Sequence, residues 1–409
     1  MMSVFFKNID TTISWKTLIN DVNQETEYNP YCISKDYYNI FKYIILSMLK
    51  DIEVMLLDSD FSEYELKQLT NYSDFEKFKV LLKKLNPPLQ NKSDLILKLR
   101  STSENWKITL FTSGTTGVPK SVTHNFNSVT RFVKYSKSNE NSVWGYAYNP
   151  THMAGLQVFL QALLNGNSII NLFQLPAEKI CREIKNNKIT HISATPTFYK
   201  QLLACNKSFD KVKRVTSGGE KLSKKNIERF SKIFPNAKIT NVYASTEAGT
   251  LFASENDVFT IKSDFKHLVK IEDNELFIHN SLLGKSELKV DEWYNTGDLT
   301  EPVSGDPFKF RFVSRKDELI NVGGYKVDPN EVEEYISMIP GVKDVRVFAK
   351  NNSVLGNIVS CEVVCKNRQL EESEIRLFLQ SKLQEYKIPR MIIFTDKISV
   401  TRTGKTKRI

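Results

Sequence analysis

The spacing of hydrophobic positions changes several times along the chain. Over residues 37–57, "YYNIFKYIILSMLKDIEVMLL", the residues Tyr37, Ile40, Phe41, Ile44, Ile45, Met48 and Leu49 recur at helical intervals, which predicts an amphipathic helix. Lysines, acids and Asn39 interrupt the run, so it does not read as a membrane span. Residues 60–100 are charged and mixed, with "NPP" at 86–88 as a break. From residue 106 onward, short apolar runs alternate with helix-period segments. "KITLF", "SVWGYAY", "SIINLF", "THISATP", "KRVTSGG" and "AKITNVYAS" read as strands or strand ends. "LQVFLQALLNG", "PAEKICREIKNN" and "SKKNIERFSKIFP" read as helices, with Gly166 and Asn187 as stops. Strand alternating with helix predicts a mainly parallel α/β sheet.

Beyond residue 257 the pattern turns to short strands and turns, "VFTIK", "HLVKIEDNELFIHN" and "FKFRFVS", an antiparallel β element appended to the α/β core. A second boundary falls near 314–318. After it Asp328 is placed to cap a helix, Pro329 suits its first position and Glu331 sits at the capping-box position. Val332, Tyr335, Ile336 and Ile339 then line one face. Strands "DVRVFAK" and "NIVSCEVVC" and a helix over "EESEIRLFLQSKLQEY" complete a small α+β domain. The expected organisation is a large α/β domain over 1–314 and a small domain over 315–409.

Composition narrows the function. A chain of 409 residues exceeds one ordinary core. Lys and Arg number 57 against 47 Asp and Glu, a net charge of +10, which suits a small anionic substrate. The basic residues are dispersed among acids without interleaved aromatics, so nucleic acid is not an expected partner. The five cysteines are odd in number and lack paired zinc spacing. They read as core thiols of a cytoplasmic protein. The opening "MMSVFFKNIDTTISW" has no apolar core long enough for a signal peptide.

The candidate chemistry begins at "LFTSGTTGVPKSV", 110–122. Glycines let a backbone approach a ligand, successive turn amides make an anion nest, hydroxyls add donors and lysine adds a point charge. A Walker loop requires Gly before its lysine, and here Pro119 precedes Lys120, so an ordinary P-loop is disfavoured. Alone, the loop reads equally as a phosphate cradle or a plain turn. Five further motifs follow in order: "VYASTEAG" at 242–249, "YNTGDL" at 294–299, "SRKDELINVGGYKVDPNEVE" at 314–333, "EYKIP" at 385–389 and "TRTGKTKR" at 401–408.

Together, from about residue 106 to 409, these motifs resemble the adenylate-forming superfamily of acyl-CoA synthetases, carrier-protein acyl ligases and luciferases. The resemblance implies that a small carboxylic acid attacks the α-phosphorus of ATP, pyrophosphate leaves, and a thiol of CoA or of a carrier-protein phosphopantetheine displaces AMP, with Mg²⁺ assisting. It implies that Thr112, Ser113, Gly114, Thr115, Thr116, Gly117 and Lys120 hold phosphates, Tyr243 stacks on adenine and Thr246 binds the α-phosphate. Glu247 is implied as the Mg²⁺ ligand, Asp298 as the ribose acceptor and Arg315 as its linker neighbour. Asp317 falls at the hinge, and Lys405 resembles the lysine that bridges the acid and ATP. "NPTHMAGLQVF" resembles the acyl segment, with His152 as its candidate. "SGGEKLS" resembles the strand-end segment that forms a pocket wall facing the nucleotide, with Gly218 implied on the acyl side and Gly219 and Glu220 on the ATP side, and Gly323 and Gly324 resemble the pantetheine entry.

Ala244, Ser314 and Ser399 depart from the family pattern without removing a chemical group. The stretch before the phosphate loop is short, which implies an acid pocket open on one side or a displaced dimer contact; a homodimer stays open. The chain stops four residues after Lys405, so no attached carrier or condensation domain is expected. A competing reading is an adenylate-binding homologue without ligase activity, serving as a regulator or scaffold. Intact Lys120, Glu247, Asp298, Arg315 and Lys405 argue against it.

Overall fold

The computed structural model describes residues 3–70, 75–112, 119–136, 139–286, 290–303, 306–352, 356–365 and 370–399. The described residues of Met1–Gly219, Lys225–Asn256 and His279–Glu292 form one compact unit, and those of Glu220–Lys224, Asp257–Ile278 and Trp293–Ile409 form a second.

The first unit is built on two large sheets, beside a small antiparallel pair of Glu27–Tyr28 with Val80–Leu81. One runs Gly249–Ser254, Lys238–Ser245, Arg214–Gly218, His191–Ala194, Val143–Tyr146, Ser168–Asn171, Val4–Lys7 and Thr12–Ser14. Its six inner strands are parallel and its two edge strands antiparallel. Parallel neighbours need crossovers, and helices Met153–Leu164, Ala177–Asn186, Pro196–Leu203 and Lys224–Ile233 lie between successive strands in the chain. Strands covered on both faces have no polar side to show, and His191–Ala194 is buried at every position. The other sheet runs Lys285–Ser286, Lys120–Asn125, Lys107–Thr112, Val54–Leu57 and Tyr31–Ile33.

One hydrophobic cluster draws on both sheets and on the helices Tyr37–Lys50 and Met153–Leu164. Phe41 and Phe159 stack face to face with ring centroids 4.2 Å apart. Helix Tyr37–Lys50 starts where Asp36 accepts from the Tyr38 amide at 3.0 Å. It covers every periodic position from Tyr37 to Leu49 and ends at Lys50, while the apolar run continues to Leu57. Asp51 turns left-handed at φ 51°, and "VMLL" becomes strand Val54–Leu57. A run of β-branched and long apolar residues suits either element. Pairing with Tyr31–Ile33 and Lys107–Thr112 decides for the strand. Among the described residues no helix is long and apolar enough to cross a membrane.

The second unit carries two antiparallel-rich sheets. One runs Val258–Thr260, Asp306–Arg315, Trp293–Val303, Glu275–His279 and Val269–Glu272. The other runs Tyr325–Val327, Ile320–Val322, Gly356–Cys365 and Val342–Asn352, and Met391–Phe394 adds in parallel to Gly356–Cys365. Val332, Ile336, Ile375 and Leu379 of helices Pro329–Ser337 and Glu372–Gln380 join Val347, Val359, Cys361 and Val363 in its core.

Asp328 caps the first of these helices through the Asn330 amide at 2.9 Å. Glu331, at the capping-box position, holds Lys387 Nζ at 2.8 and 3.0 Å. A capping box forms instead at Glu371 and Glu374. That second helix ends at Gln380, short of the expected "EY". The chain turns so that Leu383 and Ile388 enter the core, with a separate turn at Glu385–Lys387. All five cysteines are free thiols, and Cys361 is fully buried.

Candidate functional site

In the first unit the sequence candidates gather at strand ends. Lys107–Thr112 and Lys120–Asn125 form a hairpin in which Thr112 pairs with Lys120. Thr112 is half-buried and Lys120 exposed. Ser113, Gly114, Thr115, Thr116 and Gly117 lie outside the described residues, as does Lys405.

Gly218 closes strand Arg214–Gly218 and pairs with Val242 of the neighbouring parallel strand. A Cβ there would meet the Val242 carbonyl oxygen at 3.1 Å, so the close strand approach favours glycine. Gly219 follows at φ 85°, and Glu220, which belongs to the second unit, is half-buried. Tyr243 lies one residue beyond Val242, its ring 5.8 Å from that of Phe252 on the antiparallel partner strand. In open α/β sheets ligands collect at the carboxyl ends of the strands, and these residues occupy such ends.

Strand Lys238–Ser245 turns back into Gly249–Ser254 through Thr246, Glu247 and Ala248, with Ser245 paired to Gly249. A three-residue hairpin loop wants a residue in the left-handed region after its turn, and Gly249 takes φ 68°. His124 Nε2 lies 2.8 Å from the Thr246 carbonyl, the Gly284 amide donates to the Glu247 carbonyl at 2.7 Å, and Arg131 Nη1 donates to the Ala248 carbonyl at 3.4 Å. His124 is 2% exposed, and burial holds its imidazole below the usual histidine range.

His152 precedes helix Met153–Leu164 at its N-cap position but makes no capping bond. Its ring faces Asp58, with Nε2 3.1 Å from Oδ2. Asn149 Nδ2 donates to the same oxygen at 3.1 Å, and the Asp60 amide donates to Oδ1 at 3.1 Å. The Asp58 side chain is 5% exposed. Burial of a carboxylate is costly unless it is hydrogen-bonded, and these donors meet that need.

In the second unit Asp298 and Arg315 are register partners on adjacent strands. Arg315 Nε lies 3.3 Å from Asp298 Oδ1 and 3.7 Å from Asp317 Oδ1, and Nη2 donates to the Thr296 carbonyl at 3.0 Å. Lys316 pairs with Glu275 at 2.5 Å, and this bond is the main reason the Glu275 carboxyl sits below its usual range. Gly323 and Gly324 form the two-residue loop joining Ile320–Val322 to Tyr325–Val327, at φ 55° and 95°. Such a loop needs positive φ at both positions, which glycine takes most readily.

Asp58, His124, Arg131 and Gly284 were not among the sequence candidates. His124 sits four residues after Lys120 in the alternating strand "KSVTHN", where a polar residue on the inward side was the available signal. Asp58 had none, because the side chains it meets, Asn149 and His152, lie more than 90 residues away.

A family model described as AMP-binding enzyme matches residues 50–269, and one described as AMP-binding enzyme C-terminal domain matches 331–405. A 2-succinylbenzoate–CoA ligase of Listeria monocytogenes serotype 4b (strain F2365) is 27% identical over 336 residues, covering 75% of this chain and 70% of that protein. ATP-bound MatB from Rhodopseudomonas palustris superposes with a TM-score of 0.74 at 16% identity, over 99% of this chain and 94% of that one. O-succinylbenzoate coenzyme A synthetase (MenE) from Bacillus subtilis, in complex with ATP and magnesium ion, superposes with a TM-score of 0.70 at 16% identity, over 100% and 95%. The chain therefore belongs to the AMP-binding enzyme family and is an AMP-forming acid–thiol ligase of the adenylate-forming superfamily, which activates a carboxylic acid with ATP and passes its acyl group to a thiol.

Proposed function

We propose that the thiol acceptor is CoA, that Mg²⁺ accompanies ATP, and that the acid enters beside His152. The observation that carries this reading is the Thr246–Ala248 turn at the carboxyl end of the parallel sheet. Its three carbonyls are held by donors, and among the described residues its hydroxyl and carboxylate make no hydrogen bond or ion pair. CoA is favoured because the Listeria relative is named as a CoA ligase.

Among the described residues no group of three or more metal-ligating side chains forms a cage. Mg²⁺ typically binds through one or two carboxylates plus substrate phosphates, so Glu247 with Thr246 fits that ion. When bound, the metal offsets charge on the phosphate oxygens. The chain's own residues do the rest. Thr246 donates to the α-phosphate, Asp298 accepts the ribose hydroxyls, Arg315 holds that carboxylate in place, and Lys405 draws the acid and ATP together. The phosphate hairpin, Thr112 through Lys120, cradles the leaving pyrophosphate. The small domain turns near Asp317 so that the Gly323–Gly324 loop admits the pantetheine. Five free thiols suit a reducing cytoplasm.

The test is pyrophosphate release across a panel of carboxylic acids, led by 2-succinylbenzoate, followed by thioester formation with CoA and with a phosphopantetheinylated carrier protein. Acid-dependent release with thioester formed only on CoA is expected. Thioester formed only on the carrier protein overturns the choice of acceptor. Release that no acid stimulates points away from the proposed acid site.

A further inference from the structure

We infer that His124, seconded by Arg131, is a positioning residue that fixes the Thr246–Glu247 turn for ATP and its metal. This rests on the assignment of that turn to the phosphate side. The backbone and side chains of the turn are treated oppositely by the fold. Three successive carbonyls are captured by donors: His124 at 2.8 Å, the Gly284 amide at 2.7 Å and Arg131 at 3.4 Å. The donors lie 122 residues away for His124 and 117 for Arg131. Among the described residues, neither the Thr246 hydroxyl nor the Glu247 carboxylate takes part in a hydrogen bond or ion pair. A turn whose carbonyls are held, while those two side chains make no hydrogen bond or ion pair among the described residues, is preorganised for a ligand.

The chemistry fixes the imidazole's role. A carbonyl only accepts, so Nε2 must carry the proton facing Thr246. Nδ1 lies 3.0 Å from Ser128 Oγ, whose single hydroxyl proton is shared between Nδ1 and the Asn125 carbonyl, also at 3.0 Å. Gly284 packs against the ring: a Cβ there would fall 2.7 Å from His124 Cε1. Arg131 uses its other terminal nitrogen on the Leu282 carbonyl at 3.3 Å, tying the segment that supplies Gly284 to the same brace. Partners behind a metal-side ligand set its orientation, and their loss lowers metal affinity without removing a ligand.

The experiment titrates Mg²⁺ and ATP in acid-dependent pyrophosphate exchange with wild type, H124F and H124Q. H124F should raise the half-saturating Mg²⁺ and the KM for ATP about tenfold while leaving the KM for the acid unchanged. H124Q keeps an amide donor toward Thr246 and should recover most of that loss. Wild-type Mg²⁺ and ATP dependence in H124F overturns the inference, and so does an equal rise in the KM for the acid. If H124F does not fold, the ¹⁵N imidazole spectrum of the wild-type protein decides: His124 should be the Nε2–H tautomer, and Nδ1–H overturns the inference. E247Q separates this from the assignment beneath it. An inactive E247Q beside an unchanged H124F sinks the brace and leaves the metal assignment standing. An E247Q with normal Mg²⁺ dependence beside a shifted H124F sinks the metal assignment and leaves the brace acting through Thr246.

Discussion

The Thr246–Ala248 turn of the first unit and the Asp298–Arg315 pair of the second carry the nucleotide-side candidates, and they are held by opposite means. The turn is fixed by a buried imidazole and a half-buried guanidinium reaching across the sheets. The pair is fixed by register: neighbouring strands place the two residues opposite one another, and the Arg315 side chain is 51% exposed. Buried donors in low dielectric are weakly screened, whereas a half-exposed ion pair is weakened by salt. The first unit therefore positions chemistry with its core, and the second with a strand pair at its surface.

The sharpest way to break this contrast is Glu247→Gln. It should lower acid-dependent pyrophosphate exchange by about a hundred- to a thousandfold without lowering the thermal midpoint, because the core that holds the turn is untouched. A variant that loses stability in step with activity would make Glu247 part of the scaffold.

A second test probes the buried scaffold through pH. His191 lies inside the parallel sheet, 5% exposed, against Trp144 and with Thr190 Oγ1 at 2.9 Å from Nδ1. Burial, with Arg214 and Lys213 nearby, pushes its pKa down from 6.5 to about 4. The unfolded chain takes up the proton first, so the contribution is complete above about pH 6.5 and is lost as pH falls toward 4. The loss amounts to roughly 3 kcal/mol. Denaturant melts of wild type and His191→Phe from pH 7.5 to 4 should show a steeper acid slope for the wild type; parallel slopes would mean that the ring is solvated.

Asp298→Ala should raise the KM for ATP about tenfold, since the ribose hydroxyls lose a charged acceptor. Added salt should weaken ATP binding further in the wild type than in Asp298→Ala, while the Mg²⁺ dependence set by the buried brace stays level. Equal salt sensitivity in both proteins would dissolve the distinction between the two regions.

The smallest expected effect is at Asp58. Asp58→Asn keeps the shape but weakens the bond to His152, and should raise the KM for the acid by about 1 kcal/mol in free-energy terms with the KM for ATP unchanged. A shift in the ATP constant alone would move His152 to the nucleotide side.

The sequence by itself determined the family, the alternation that builds the parallel sheet and the loops at its strand ends. These are local signals: "SGTTG", "STEAG" and "NTGDL" place their small and charged residues by spacing alone. It also placed Asp328 and Asn187 at helix ends, because caps act over one turn. Tertiary structure decided what local pattern leaves degenerate. "VMLL" suits a helix or a strand until Tyr31–Ile33 and Lys107–Thr112 lie beside it. The helix after Glu371 stopped at Gln380 because Leu383 and Ile388 found the core. The sequence could name Glu247 and His152, since each lies within a recognisable motif. It could not name His124 and Arg131, or Asp58, as the groups that hold them. Those contacts join residues about 90 to 120 positions apart, and only the folded sheets bring such donors and acceptors within hydrogen-bonding distance.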